Sequence, residues 1–301
     1  MNISVCIATY RRLDRLAVLL DDLARQDVMP FEIIVVDNDA TGSAAAVVES
    51  LRNSAPPFFV HYSIQPLKNI ALTRNQTVER ANGEWLAFID DDERAPPFWL
   101  ARLAKAAEVH SADGVLGPVE PVVPAEAPLW IRRGRFYDFH HMPSGTIVPP
   151  NHLRFGNVLL RARPLRDMDT LFDPAYGLTG GEDGDMLSRL ALAGGRIVWC
   201  DEALVYEPIE ASRLSLSWLL RRSLRGGQDF ARHSLAGRYG PAHTNRFRLF
   251  GVALLQLLAA AGLALLALPI GRHHAVHWLT KASANLGKLS IFAGWHYREY
   301  A

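Results

Sequence analysis

Between Ile3 and Asp92 the chain alternates four times between a short apolar run and a helical stretch. The runs are Ile3–Ala8, Phe31–Val36, Phe58–Ser63 and Trp85–Ile89. Each is too short for a helix that buries all of its faces and fits a strand, β-branched residues being frequent. After the first run, Leu13, Leu16, Leu19, Leu20 and Leu23 recur at three- and four-residue spacing, which is the apolar stripe of an amphipathic helix. A second helix is predicted over about 43–52, where Pro56-Pro57 stops its continuation. A third is predicted over 69–82, closed by Gly83 as a C-terminal cap. Such alternation predicts an α/β fold, a mostly parallel sheet with helices on both faces.

The second and fourth runs each end in an acidic cluster, Asp37-Asn38-Asp39 and Asp90-Asp91-Asp92. In a parallel sheet ligands bind beyond the carboxyl ends of the strands, so both clusters fall on the ligand-binding edge. Three adjacent carboxylates repel one another and do not pack unless something positive neutralises them. Either cluster alone fits a solvated turn. Two on one edge favour a divalent-cation site for an anionic ligand, because Mg²⁺ and Mn²⁺ prefer carboxylate oxygen. Neither GxGxxG nor GxxxxGK[ST] occurs, and no HExxH or CxxC spacing marks a zinc site. Gly180-Gly181-Glu182-Asp183 opens a further predicted helix. Acids are favoured at a helix N-terminus by the dipole alone. Paired glycines also allow a close backbone approach, and a carboxylate presented there could act as a general base.

Beyond Arg94, Pro96-Pro97 opens a helix reaching about His110, and Gly114–Val123 reads as one strand. Residues 124–150 read as an irregular excursion with weak strands at most, and His140-His141 is left unassigned. Asn157–Arg161 and Arg196–Cys200 are further strands, the second followed by Tyr206-Glu207-Pro208. In a basic amphipathic stretch over Leu214–Arg225, Arg221, Arg222 and Arg225 fit either a clamp on a diphosphate or a contact with anionic lipid headgroups, and the apolar side made of Leu216, Leu219, Leu220 and Leu224 favours a membrane-surface helix. Leu249–Ile270 then runs without a charge for a length that could cross a bilayer, with a weaker apolar stretch over Ala275–Trp295. The division expected is a domain over residues 1–235 and a membrane-associated helical region over 236–301. A net charge of +1 argues against a nucleic-acid partner. Cys6 and Cys200 are the only cysteines, and the N-terminus lacks a basic leader, which together point to a reducing cytosol.

Five stretches in order carry a family resemblance: Ile7-Ala-Thr-Tyr-Arg-Arg12, Ile33-Ile-Val-Val-Asp-Asn-Asp39, Leu72-Thr-Arg-Asn-Gln76, Phe88-Ile-Asp-Asp-Asp92 and Gly180-Gly-Glu-Asp183. Over about residues 1–210 they resemble the family-2 glycosyltransferases, whose GT-A fold is a Rossmann-related sheet. The resemblance implies an inverting transferase that uses a nucleotide-diphosphate sugar, usually with UDP, and a Mg²⁺ or Mn²⁺ ion. It places Thr9, Tyr10 and Arg11 in the nucleotide pocket, Asp37 and Asn38 against the base and Arg74 near the diphosphate. It places Asp90 and Asp91 towards ribose and sugar, Asp92 on the metal with Asp90 beside it, and Asp183 as general base. Many family members carry Asp where this chain has Asn38, and a histidine metal ligand where it has Glu207, which makes Glu207 a candidate ligand.

The apolar tail and family habit together imply a membrane partner, a lipid-linked or polysaccharide acceptor, and a catalytic domain on the cytoplasmic face of the inner membrane. A metal-dependent nucleotidyl- or phosphotransferase and a non-catalytic membrane adaptor on the same fold stay open as alternatives.

Overall fold

The structure is a computed structural model and describes residues 1–138 and 140–299. Its first half follows the expected alternation: β1 Ile3–Thr9, α1 Leu13–Leu23, β2 Glu32–Asp37, α2 Ala45–Asn53, β3 Phe59–Ile64, α3 Ile70–Arg80 and β4 Trp85–Ile89. The chain continues through α4 Trp99–Val109, β5 Gly114–Leu116, β6 Val119–Val122, α5 Leu129–Gly134, β7 Asn157–Arg161, α6 Ala162–Arg166, α7 Glu182–Leu192, β8 Ile197–Trp199 and β9 Val205–Pro208. Three long helices follow: α8 Leu216–Leu235, α9 Arg246–Ala267 and α10 Arg272–Ser290. By contact the chain divides into two compact units, one holding residues 1–120 and 140–207, the other 121–138 and 208–299. The boundary expected after residue 235 falls at the end of α8, inside the second unit.

The main sheet of the first unit has seven strands in the order β3-β2-β1-β4-β7-β5-β8. β1 pairs in parallel with β2 and β4, and β2 with β3, so these four strands end on one edge. β7 runs antiparallel between β4 and β5, which makes the sheet mixed. Alternation along β1 sends Ile3, Val5 and Ile7 to a core packed by Leu16, Leu20, Val48, Trp99 and Leu103 of α1, α2 and α4. Cys6 faces the opposite core, with Ala71 and Val78 of α3 and Met186, Leu187 and Leu190 of α7. Burial there pushes the Cys6 thiol up to about 12, so it behaves as a small apolar side chain.

Two local expectations are corrected. Gly114–Val123 is not one strand but β5 and β6, and β6 pairs with β9 in a separate two-stranded sheet. Pro118 has no N–H for a ladder, and a Cβ on Gly117 would lie 2.4 Å from the Ala203 carbonyl, so the chain breaks between them. Gly83 does not cap α3, which ends at Ala81 in an extended conformation. Its missing side chain serves a close approach instead, since a Cβ there would lie 2.6 Å from Ser4 Oγ, which accepts the Gly83 N–H at 2.8 Å.

In the second unit α10 packs against both α8 and α9. Gly227 of α8 and Gly287 of α10 let the backbones touch; a Cβ on either would lie 1.8 Å from the Ala284 carbonyl oxygen or 2.0 Å from that of Leu224. Leu219 is buried and Ser283 Oγ donates to the Leu220 carbonyl, so the leucine side of α8 is turned onto α10 rather than left open as expected for a surface helix. In α9 the buried residues are Ala253, Ala260, Ala264 and Ala267, whereas Leu255, Leu258, Leu265 and Leu266 are exposed. Along α9, small residues therefore lie inside and large apolar residues outside. α9 is also the one described helix long and apolar enough to cross a membrane.

Candidate active site

The site lies within the first unit, at the edge where the parallel strands end. β1 delivers Thr9 to this edge, and β4 delivers the aspartate triplet. Thr9 is buried, and its Oγ1 donates to Asp91 Oδ2 at 2.8 Å. Arg12, at the N-terminal cap of α1, donates from Nη1 to Asp91 Oδ1 at 2.9 Å and lies 3.1 Å from Asp92 Oδ2. Arg15, one turn further, stands 3.8 Å from the same Asp92 oxygen. The positive charge that a buried aspartate cluster requires is thus supplied by the helix that follows β1. Asp91 and Asp92 are buried while Asp90 keeps 46% of its side-chain surface exposed, so Asp90 is the aspartate presented outward. Burial pushes the Asp91 carboxyl up to about 6, against the pull of Arg12.

Arg74, from α3, joins this cluster to α7. Its Nη2 donates to Asp90 Oδ1 at 3.1 Å and its Nη1 to Glu182 Oε1. The guanidinium also lies over the Phe155 ring, 4.9 Å from its centroid. Gly180 and Gly181 both take positive φ, 81° and 93°, and this turn starts α7 beside Arg74. Asp183 follows directly, and its Oδ2 accepts the Phe155 N–H at 2.8 Å. Its charge and that of Asp92 both act on Asp90. Asp90 and Asp183, 93 positions apart in the chain, are therefore near enough for their charges to act on one another, and Arg74 pairs with Asp90 and with Glu182, the neighbour of Asp183.

The β2 cluster is organised differently. Asp37 Oδ1 accepts the Asp39 N–H at 2.9 Å, and its Oδ2 accepts the Ala44 N–H at 2.8 Å and the Tyr62 hydroxyl at 3.0 Å. Asn38 donates from Nδ2 to the Gln65 and Leu67 carbonyls and accepts the Asn69 N–H at 2.9 Å. Both side chains hold the turn after β2 and the loop before α3. Asp39 meets Arg11, whose Nε donates to Oδ2 at 2.7 Å; Arg11 itself has a left-handed φ of 53°. That conformation costs a non-glycine residue about 1–2 kcal/mol, and the ion pair fixes where the side chain goes. Tyr10 is covered by cations, with Arg11 5.2 Å and Lys68 4.9 Å from its ring centroid.

The donor chemistry suits a hard cation. Glu93 is buried beside the triplet, and burial together with the charges of Asp90, Asp92 and Glu207 holds its carboxyl well above the usual range. A divalent ion bound there would add to the positive charge that Arg12, Arg15 and Arg74 already bring to these carboxylates. Among the described residues no three side chains form a ready-made cage, so such an ion would complete its shell with ligand oxygens, as Mg²⁺ commonly does. Asp90 and Asp92 would be the carboxylates nearest such an ion, but here Arg74 pairs with Asp90 and Arg12 and Arg15 with Asp92, and the charge of Glu207 acts on Glu93.

Arg12, Arg15, Glu93 and Glu182 are the site residues to which motif reading gave no role, although Arg12 and Glu182 stand within two of the motifs. The signal for the first two was the three-residue spacing of Arg12 and Arg15 at the start of α1, immediately after the first strand. His140 and His141 lie away from this cluster: His141 bridges Asp201 and Glu120 at 2.6 and 2.5 Å, and His140 stacks on His152.

A parallel-stranded core with carboxylates and arginines gathered at its strand ends is the architecture of a GT-A glycosyltransferase. Residues 4–163 match the family described as Glycosyl transferase family 2. The chain belongs to that family and is a glycosyltransferase. It is similar to the succinoglycan biosynthesis protein ExoM of Rhizobium meliloti, 38% identical over 239 residues, which cover 77% of this chain and 75% of that protein. It is also 29% identical over 122 residues to the poly(ribitol-phosphate) β-N-acetylglucosaminyltransferase TarS of Staphylococcus aureus, 38% of this chain and 20% of that one. The mannosyltransferase PcManGT of Pyrobaculum calidifontis, solved with GDP-Man and Mn²⁺, superposes with a TM-score of 0.69 at 19% identity, covering 98% of this chain and 87% of that one. TarS residues 1–349, solved with UDP-GlcNAc, superpose at 0.56 and 20% identity, covering 99% and 93%. At these identities the two structures establish the fold.

Proposed function

We propose that the chain is an inverting transferase that moves a sugar from a nucleotide-diphosphate sugar, a UDP-sugar by preference, to a hydroxyl of a lipid-linked or polysaccharide acceptor. The observation that carries this reading is the Arg74 bridge. It ties Glu182, at the start of α7, to Asp90 of the triplet, which supports a role for the adjacent Asp183 at this site. In the reaction the Asp183 carboxylate takes the proton of the acceptor hydroxyl as its oxygen attacks the anomeric carbon. The bond from that carbon to the diphosphate oxygen breaks, and its electron pair leaves with the nucleoside diphosphate. One displacement without a covalent intermediate inverts the anomeric centre.

Other residues of the chain position the donor. Thr9, Tyr10 and Arg11 line the nucleotide pocket, and Asp37 and Asn38 hold the loops that frame the base. Arg74 adds positive charge near the diphosphate, where charge develops as the bond breaks. Asp90 and Asp91 lie towards ribose and sugar. Asp92, with Asp90 and Glu207, would hold Mg²⁺ or Mn²⁺, which when bound neutralises the leaving diphosphate. The GDP-Man and Mn²⁺ bound by PcManGT and the UDP-GlcNAc bound by TarS support this donor class.

The outward leucines of α9 support attachment to a membrane, with the first unit on the cytoplasmic face where nucleotide sugars are made. A membrane-held enzyme suits a lipid-linked acceptor, and the similarity to ExoM supports a role in polysaccharide assembly. The test is a panel of nucleotide sugars incubated with the enzyme, Mn²⁺ and membrane lipid. Release of free nucleoside diphosphate from one of them is expected, whereas release of pyrophosphate would indicate nucleotidyl transfer and overturn the proposal.

A further inference from the structure

Helices α8, α9 and α10, with His243 and Asn245 ahead of α9, line an open-sided cavity of about 190 Å³ within the second unit. Its wall is divided chemically: Ser234, Arg248 and Lys288 are polar, whereas Phe230, Leu249 and Val252 are apolar. Ser234 is fully buried, and its Oγ has no hydrogen-bond partner among the described residues. A buried hydroxyl left unmade costs about 1–3 kcal/mol, so a ligand oxygen there would stabilise the fold. Neither Arg248 nor Lys288 meets a carboxylate among the described residues. Lys288 Nζ donates to Asn285 Oδ1 at 2.9 Å and lies 4.9 Å from the Phe230 ring centroid. The first turn of α9, capped by Asn245, adds the positive end of its dipole to the same place.

We propose that this cavity is a headgroup site for an anionic, phosphate-bearing lipid. Arg248 and Lys288 face the phosphate, Ser234 Oγ hydrogen-bonds one of its oxygens, and the hydrocarbon chain follows the outer face of α9 at Leu255 and Leu258. The volume is below the roughly 300–1,000 Å³ of pockets that swallow a drug-sized ligand, which suits a single headgroup whose chain stays outside. The half-apolar wall and the leucines of α9 favour a lipid over free phosphate. The inference rests on the reading that α9 lies in a membrane. A bilayer phospholipid and a polyprenyl phosphate share the required chemistry.

Co-sedimentation of the full-length protein with vesicles tests it. Vesicles of phosphatidylcholine alone, with phosphatidylglycerol, and with polyprenyl phosphate are compared, each with and without excess inorganic phosphate. The wild-type protein is expected to bind phosphatidylcholine and to bind one or both anionic vesicles roughly thirtyfold tighter, the scale of two basic side chains at an anionic surface. Which anionic vesicle gains identifies the lipid. The Arg248→Ala/Lys288→Ala pair should lose that gain and keep phosphatidylcholine binding, and Ser234→Ala should lose part of it. Arg246→Ala, at the same end of α9 but outside the cavity, should keep it. A gain that survives the double substitution, falls equally with Arg246→Ala, or vanishes with inorganic phosphate overturns the site. Failure of the wild type to bind any vesicle overturns the membrane reading itself, before any variant is compared.

Discussion

Arg12 stands 3.1 Å from Asp92, and the same guanidinium nitrogen also donates to Asp91. The aspartate pair at the end of β4 therefore has a built-in counter-ion, carried by the cap of α1. In Arg12→Ala the two buried carboxylates lose most of their neutralising charge. The expected cost is about 1–2 kcal/mol, below the full value for a buried pair because Arg12 is 40% exposed. A divalent ion on Asp92 offsets the lost charge, so Mn²⁺ should raise the melting temperature of the variant more than that of the wild type. Thermal melts with and without Mn²⁺ check this; an equal rise in both proteins would separate Arg12 from the cation site.

Arg74 and Glu182 are both buried, with side chains 11% and 2% exposed. Arg74→Met takes the cation away from Glu182 and should cost about 3 kcal/mol or more. Adding Glu182→Gln removes the stranded charge, and the double variant should recover a good part of the loss. Both variants should still turn over slowly, because Asp183 loses its placement beside Asp90 rather than its carboxylate. Denaturant melts of the four proteins in the cycle measure the coupling, and simple additivity of the two substitutions would refute the bridge.

His141 gives the first unit a pH dependence remote from the active site. Its hydrogen bonds to Asp201 and Glu120 raise its pKa above the ordinary value. The stabilisation is therefore fully present below about pH 6.5, where the unfolded histidine is also charged. It fades as pH rises through the higher folded value. His141→Gln should lower the stability most at acid pH and least at alkaline pH, by under about 1 kcal/mol because the ring is 42% exposed, and the melting temperature with it. Melts of both proteins from acid to alkaline pH decide it, and a gap that widens upward would reverse the assignment.

The strands that carry the site were readable from local pattern. Trp85–Ile89 is β4 residue for residue, and β1 and β2 lie within a residue or so of the apolar runs that signal them. Parallel strands buried on both faces advertise themselves as continuous apolar runs, and their carboxyl ends carry the acids. Pairing over long distances left no such mark. β7 enters the sheet antiparallel between β4 and β5, and nothing in Asn157–Arg161 announces its direction. The role of Asn38 escaped local reading for the same reason, since its partners are backbone groups of a loop 27–31 residues away, and Asp37 likewise takes the hydroxyl of Tyr62 on β3. Arg74 stood out as a basic residue near acids, but its second partner, Glu182, lies 108 positions on and only the fold brings it close. In α9 composition revealed an apolar helix, and the three-dimensional packing added that its alanines face inward.

The most direct measurement is made on Asp183→Asn. The substitution keeps an oxygen to accept the Phe155 N–H and removes the carboxylate that takes the acceptor's proton. Turnover with donor, acceptor and Mn²⁺ should fall by about 10²–10⁴-fold, while the dissociation constant for the nucleotide sugar, measured calorimetrically without acceptor, stays within about twofold of wild type. Undiminished turnover in Asp183→Asn would contradict its assignment as the base and with it the mechanism proposed for this chain.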